Sequence, residues 1–118
     1  MTMLGRLANL EHGRREALEK ILLEAIDETL SLLLSERAKE AIYAHMERYY
    51  ALRREEIPRS PDRFMACLER IFGRARPVIE KMVLKKFYSK LGMGFIERKD
   101  WDFRDYIVSA GHLEQVYE

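Results

Sequence analysis

Cysteine is nearly missing from this chain, with one residue, Cys67, among 118. An intrachain disulfide framework is therefore excluded, and a reducing cytoplasm fits such usage. No histidine lies near Cys67 in the sequence to activate it, so it reads as a buried free thiol and not as a nucleophile. Proline and glycine are also scarce, at three and six residues, which rules out collagen-like and low-complexity linker compositions. There is no apolar run of about eighteen residues, so no segment is expected to span a membrane. The opening stretch, MTMLGRLANLEHGRR, breaks its apolar run with Arg and Glu and does not read as a signal peptide.

Three histidines, His12, His45 and His112, are too scattered to suggest a metal centre. Glycine-rich phosphate loops, Cys-x-x-Cys pairs, His-Glu-x-x-His and Ser/His/Asp spacings are not found. Glu55 and Glu56 are sequence neighbours and read as a solvated charge run, since adjacent side chains rarely face each other. The expectation is therefore a protein without catalytic residues, cofactor or metal.

What the chain has in quantity is apolar residues at helical spacing. Hydrophobic residues make up 47% and charged residues 35%, a globular balance. The stretch 77–91 is apolar over most of its circumference, with Val78, Ile79, Met82, Val83, Leu84, Phe87, Tyr88 and Leu91. A helix of that kind is covered by neighbours on more than one side. Pro77 suits its first turn and Gly92 its C-terminal stop. The pattern predicts an all-α, single-domain bundle of five or six helices around this central helix at about 77–91.

The other helices follow in order. Residues 1–12 are weakly patterned, with Leu4, Leu7 and Leu10 at helical spacing but Gly5 and Gly13 interrupting. They read as a lead-in, with the bundle proper spanning 13–110 and a tail at 111–118. A first helix is expected from about 14 to 33 on Leu18, Leu22, Ala25, Ile26, Thr29 and Leu33. Ser35 caps a second helix at about 36–52, whose stripe is Ala38, Ile42, Met46 and Tyr49. Residues 53–62 are the one obvious linker, with Ile57 plugging a gap between helices. Pro61 opens a short third helix on Phe64, Leu68, Ile71 and Phe72, closed by Gly73. After Gly92, Phe95 and Ile96 are expected to tuck back onto the core. A final helix opens near Asp100 and closes at Gly111. Its aromatic residues, Trp101 above all, form a lid or a detachable latch.

The charge is unevenly placed. Residues 52–90 carry 11 Lys and Arg against 5 Asp and Glu, whereas residues 1–51 carry 7 against 9. The acidic segments either fold against the basic one or leave it to an anionic partner.

Several motifs in order resemble a known family. They are Ile57-Pro58-x-x-Pro61-x-x-Phe64, Leu68-x-x-Ile71-Phe72-Gly73 and Ile79-Glu80-x-x-Val83-x-x-Lys86-x-Tyr88-x-x-Leu91-Gly92. Ala25-Ile26-Asp27-Glu28-Thr29-Leu30 and Ala41-Ile42-Tyr43-x-His45-Met46-Glu47 precede them. Together, over roughly residues 20–108, they resemble a small archaeal helical domain, the fifth type of Nitrosopumilus output domain. The resemblance implies an all-helical signal-transduction output module with no assigned chemistry and no catalytic residues to carry over. Arg74-Ala75-Arg76-Pro77 is more basic than the small-residue turn expected there.

Three functions follow as expectations. The first is a non-enzymatic protein-interaction or signalling-output domain, binding a protein partner or a second copy of itself. Its candidate surface is Leu30, Leu34 and Trp101. The second is nucleic-acid binding through a helix-turn-helix-like 68–90 segment, with Arg74, Arg76, Lys81, Lys85, Lys86 and Lys90 on phosphates. The third is an enzyme or a ligand carrier with a pocket under the Trp101 segment, lined by Tyr43, His45, Tyr49, Tyr50, Trp101 and Tyr106.

Overall fold

The computed structural model describes the backbone of residues 3–117 and the side chains of residues 12–111. It is all-α, with five helices and no strand among the described residues. These are α1 (Met3–Leu33), α2 (Glu36–Tyr50), α3 (Pro61–Phe72), α4 (Arg76–Lys90) and α5 (Phe103–Tyr117). Two 3-10 turns, Arg54–Arg59 and Gly73–Ala75, join α2 to α3 and α3 to α4.

The first helix sets the shape. At 1.5 Å per residue, 31 residues reach about 46 Å, close to the longest dimension of 47 Å. It begins at Met3, so neither Gly5 nor Gly13 breaks it and the expected lead-in has helical backbone. A glycine inside a helix costs about 1 kcal/mol and does not forbid it. The side chains of Leu4, Leu7 and Leu10 lie outside the described residues.

The central helix is confirmed, with one correction. Ile79, Val83, Leu84, Phe87 and Tyr88 are buried, as neighbours on two sides require. Val78, however, is 62% exposed and Met82 half-buried. The wrap is therefore incomplete, and a strip through Val78, Lys85 and Ser89 faces solvent. α1 lies along α4, with α3 and α5 on its other flanks, while α2 packs on α1, α3 and the first 3-10 turn. The helix ends in a Schellman arrangement. Gly92 adopts φ 71°, its N–H donates to Ser89 O at 3.0 Å, and Met93 N–H donates to Tyr88 O at 2.9 Å.

Burial corrects other stripes. In α2 the buried set is Lys39, Ile42, Tyr43 and Met46, and Tyr49 is 64% exposed. In α3 it is Phe64, Cys67 and Leu68, with Ile71 turned outward. Leu33, placed on the α1 stripe by its spacing, is exposed, and Ile96 is exposed where it was expected to tuck in. The linker does what Ile57 implied: Ile57 and Pro58 are both buried in a 3-10 turn packed on α1, α2 and α3.

The last helix starts later and runs further than its sequence suggests. Asp102 is its cap: Asp105 N–H donates to Asp102 Oδ1 at 3.0 Å, and Asp102 N–H donates to Asp105 Oδ2 at 2.9 Å. That reciprocal box leaves Trp101 outside the helix. Gly111 does not close α5, which continues to Tyr117.

Candidate functional site

Two polar constellations stand out, and they do different work. The first joins α1, α2 and the first 3-10 turn at Asp27. Its carboxylate accepts from Tyr43 OH at 3.0 Å, from Lys39 Nζ at 3.2–3.3 Å and from Arg54. Lys39 is buried, and its ammonium also reaches Ser31 Oγ at 3.0 Å and Glu36 at 3.1 Å. The Arg54 guanidinium lies 4.1 Å above the Tyr43 ring and pairs with Glu40 at 3.3 Å. Burial would raise the Asp27 pKa, but the three donors overcome it and hold the carboxyl below its usual value. Burial first, and then the Asp27 charge, push the Tyr43 phenol up. Lys39, Tyr43 and Arg54 all converge on Asp27, so the cluster fastens three elements together.

The sequence did not single out this hub, though one signal was present. Lys39 falls on the i, i+3, i+7 line with Ile42 and Met46, an odd place for a lysine unless a carboxylate faces it.

The second constellation borders an open cleft of about 590 Å³ between the first half of α4, the 93–102 connection and the start of α5. Leu84, Phe95 and Phe103 contribute its apolar wall, and Trp101 and Tyr106 an aromatic one. The rings form a relay: Tyr88 to Phe95 at 5.4 Å, Phe95 to Tyr106 at 5.2 Å, Tyr106 to Trp101 at 5.2 Å. Residues 98–101 make a turn, with Trp101 N–H on Arg98 O at 3.3 Å. That turn stacks the Arg98 guanidinium over the Trp101 ring at 4.9 Å.

Glu80 is buried in this cleft wall and chelates Arg76 at 2.9 and 3.2 Å, while Arg76 also pairs with Glu69. Burial pushes the Glu80 carboxyl up, and the Arg76 charge pulls part of the way back. The i, i+4 spacing of Arg76 and Glu80 was legible in the sequence; the depth of Glu80 was not.

The expected site residues separate. Of the six basic candidates, Arg76, Lys81 and Lys90 are held by the chain's own acids: Glu80, Glu97 at 2.9 Å and Glu28 at 2.9 Å. Arg74, Lys85 and Lys86 have no acidic partner among the described residues. Leu30 is fully buried and is no part of a surface, and Leu34 is half-buried against the core. Along its described part, α1 is packed by α4 on one side and by the first 3-10 turn and α2 on others, while Leu32 and Leu33 at its end are exposed. The expected pocket lining also divides. Trp101 and Tyr106 line the cleft, whereas His45 stacks with Tyr49 and Tyr50 on α2, and Tyr43 belongs to the Asp27 hub. His112 lies outside the residues whose side chains are described.

No helix among the described residues is long and apolar enough to cross a membrane. Compared with protein-family models, curated proteins and solved structures, the chain has no match.

Proposed function

We propose that this chain is a non-enzymatic interaction domain, of the signal-transduction output kind its sequence resembles, which works by holding a segment of another protein. Trp101 carries this reading. It is the chain's one tryptophan and is 37% exposed on the wall of an open cleft, braced by Tyr106 and Arg98 instead of covered. Tryptophan and arginine in such settings are frequent anchors of protein interfaces. The strongly placed acids support the same reading, because Asp27 and Glu80 are spent on ion pairs within the fold.

Quantitative affinity purification from the native host, with wild-type and Trp101→Ala baits, tests it. The expected result is a protein recovered with wild type and depleted at least about tenfold with the variant, as loss of an interface anchor implies. Identical recoveries from two equally folded baits would overturn the reading.

Nucleic-acid binding is the second reading, carried by Arg74, Lys85 and Lys86, the basic candidates that remain unpaired among the described residues. Binding to duplex DNA that weakens steeply with salt would support it, and no binding at low ionic strength removes it.

A further inference from the structure

We propose that the Trp101 cleft is a docking site for an acidic segment of a partner protein, one that carries an apolar side chain beside its carboxylates. This rests on the interaction-domain reading only for the ligand being a protein.

The argument begins with charge. Three carboxylates border the cleft; two are paired with cations of the chain, and the third caps α5. Glu80 is held by Arg76, Glu97 by Lys81, and Asp102 by the Asp105 N–H. Four cations, Arg76, Lys81, Arg98 and Lys99, against three carboxylates give the lining a net charge of +1, and Arg98 and Lys99 are its cations without an acid among the described residues. A carboxylate is the group it lacks.

Geometry sharpens the choice. The Arg98 guanidinium sits over the Trp101 ring, 4.9 Å from its centroid, and no carboxylate of the described residues takes up its N–H fork, whose shape matches a carboxylate. The backbone presenting it is fixed, because Tyr106 OH bonds both the N–H and the C=O of Arg98. Tyr106 O is itself held by Tyr88 OH at 2.7 Å. A site arranged before the ligand arrives loses less entropy on binding. Beside the cations, exposed Trp101 and half-buried Phe95 offer apolar surface for a Leu or Phe side chain. A basic segment would meet two uncompensated cations.

Phage-displayed random dodecapeptides selected on the full chain test this, with Trp101 emission as the readout. Because it is the chain's only tryptophan, its emission reports on the cleft directly. Enriched peptides are expected to carry Asp or Glu next to Leu or an aromatic, and their synthetic forms to shift Trp101 emission. The Arg98→Glu/Lys99→Glu variant should bind them at least about tenfold more weakly. A peptide with Lys in place of its acids should recover binding on that variant. Melting temperatures matched to wild type keep the comparison free of misfolding.

The proposal falls if binders lack acids, if the double reversal leaves affinity unchanged, or if Trp101 emission does not respond. In those cases the interaction-domain reading stands with its surface elsewhere. Duplex DNA that displaces the peptide from wild type but not from the reversed variant would give the cleft to phosphate and overturn the proposal. If no peptide is selected and the Trp101→Ala bait recovers the same proteins as wild type, both readings fall together.

Discussion

The phenol of Tyr106 serves both backbone groups of Arg98, accepting from its amide at 2.6 Å and donating to its carbonyl at 3.0 Å. One side chain thus ties the 93–102 connection to α5. Tyr106→Phe keeps the ring and its packing on Trp101 and Phe95, but leaves both Arg98 groups without that partner. A loss of about 1–3 kcal/mol is expected from denaturant titration. Trp101 anisotropy should fall as the turn loosens. An unchanged midpoint and anisotropy would show that the bonds are not holding the connection.

Ala51 ends α2 in the left-handed region, at φ 50°. Its N–H and that of Leu52 both turn back onto Met46 O. A side chain there costs energy that glycine does not, so Ala51→Gly is expected to stabilise the fold by up to about 1 kcal/mol. A lowered melting temperature would mean that the entropy lost from the unfolded chain wins.

Gly111 lies inside α5, and a Cβ placed on it would meet Leu18 Cδ1 at 3.6 Å, an ordinary contact. Gly111→Ala should therefore gain helix propensity without a clash, raising stability by up to about 1 kcal/mol. Chemical denaturation followed by far-ultraviolet circular dichroism measures it. A destabilised variant would indicate a tighter approach of α5 to α1.

Asp27 makes stability depend on acid. Its folded pKa lies below the ordinary aspartate value of 3.8. The unfolded chain therefore takes up a proton first as pH falls, and the stabilisation present above that value is lost on going down through the folded pKa. Asp27→Asn should be less stable than wild type at neutral pH, with the gap closing below about pH 4. A gap that stays constant down the acid limb would exclude the hub as its source.

Cys67 is fully buried, and burial pushes its thiol up to about 11. Thiolate is the reactive form, so a disulfide reagent at pH 8 should label Cys67 only as fast as the protein opens. Labelling should accelerate with denaturant in step with global unfolding. Rapid labelling in native buffer would place the thiol in a mobile part of the structure.

Much of the fold is written in local pattern. Ser35 caps α2, accepting from Ala38 N–H at 3.1 Å. Pro61 and Pro77 sit in first turns, and Gly92 takes the positive φ a helix stop requires. The candidate site was less legible. Trp101 was visible as an outlier, but the residues around it come from α4, the 93–102 connection and α5, and spacing along one helix does not bring them together. Gly111 was misleading because its sequence signal fits a stop as well as a helix interior.

Periodicity, capping residues and the scarcity of Cys, Pro and Gly determined by themselves that this chain folds as helices around the 77–91 stretch. These signals act within a turn or two of chain, where sequence separation and distance in space are nearly the same. Tertiary structure alone decided that Leu30 is covered, that Val78 is bare, and that Arg98 and Lys99 are left without an acid among the described residues while Arg76, Lys81 and Lys90 find one. Ion pairing and burial depend on which helices lie side by side, and in this chain partners such as Lys90 and Glu28 are 62 residues apart in sequence.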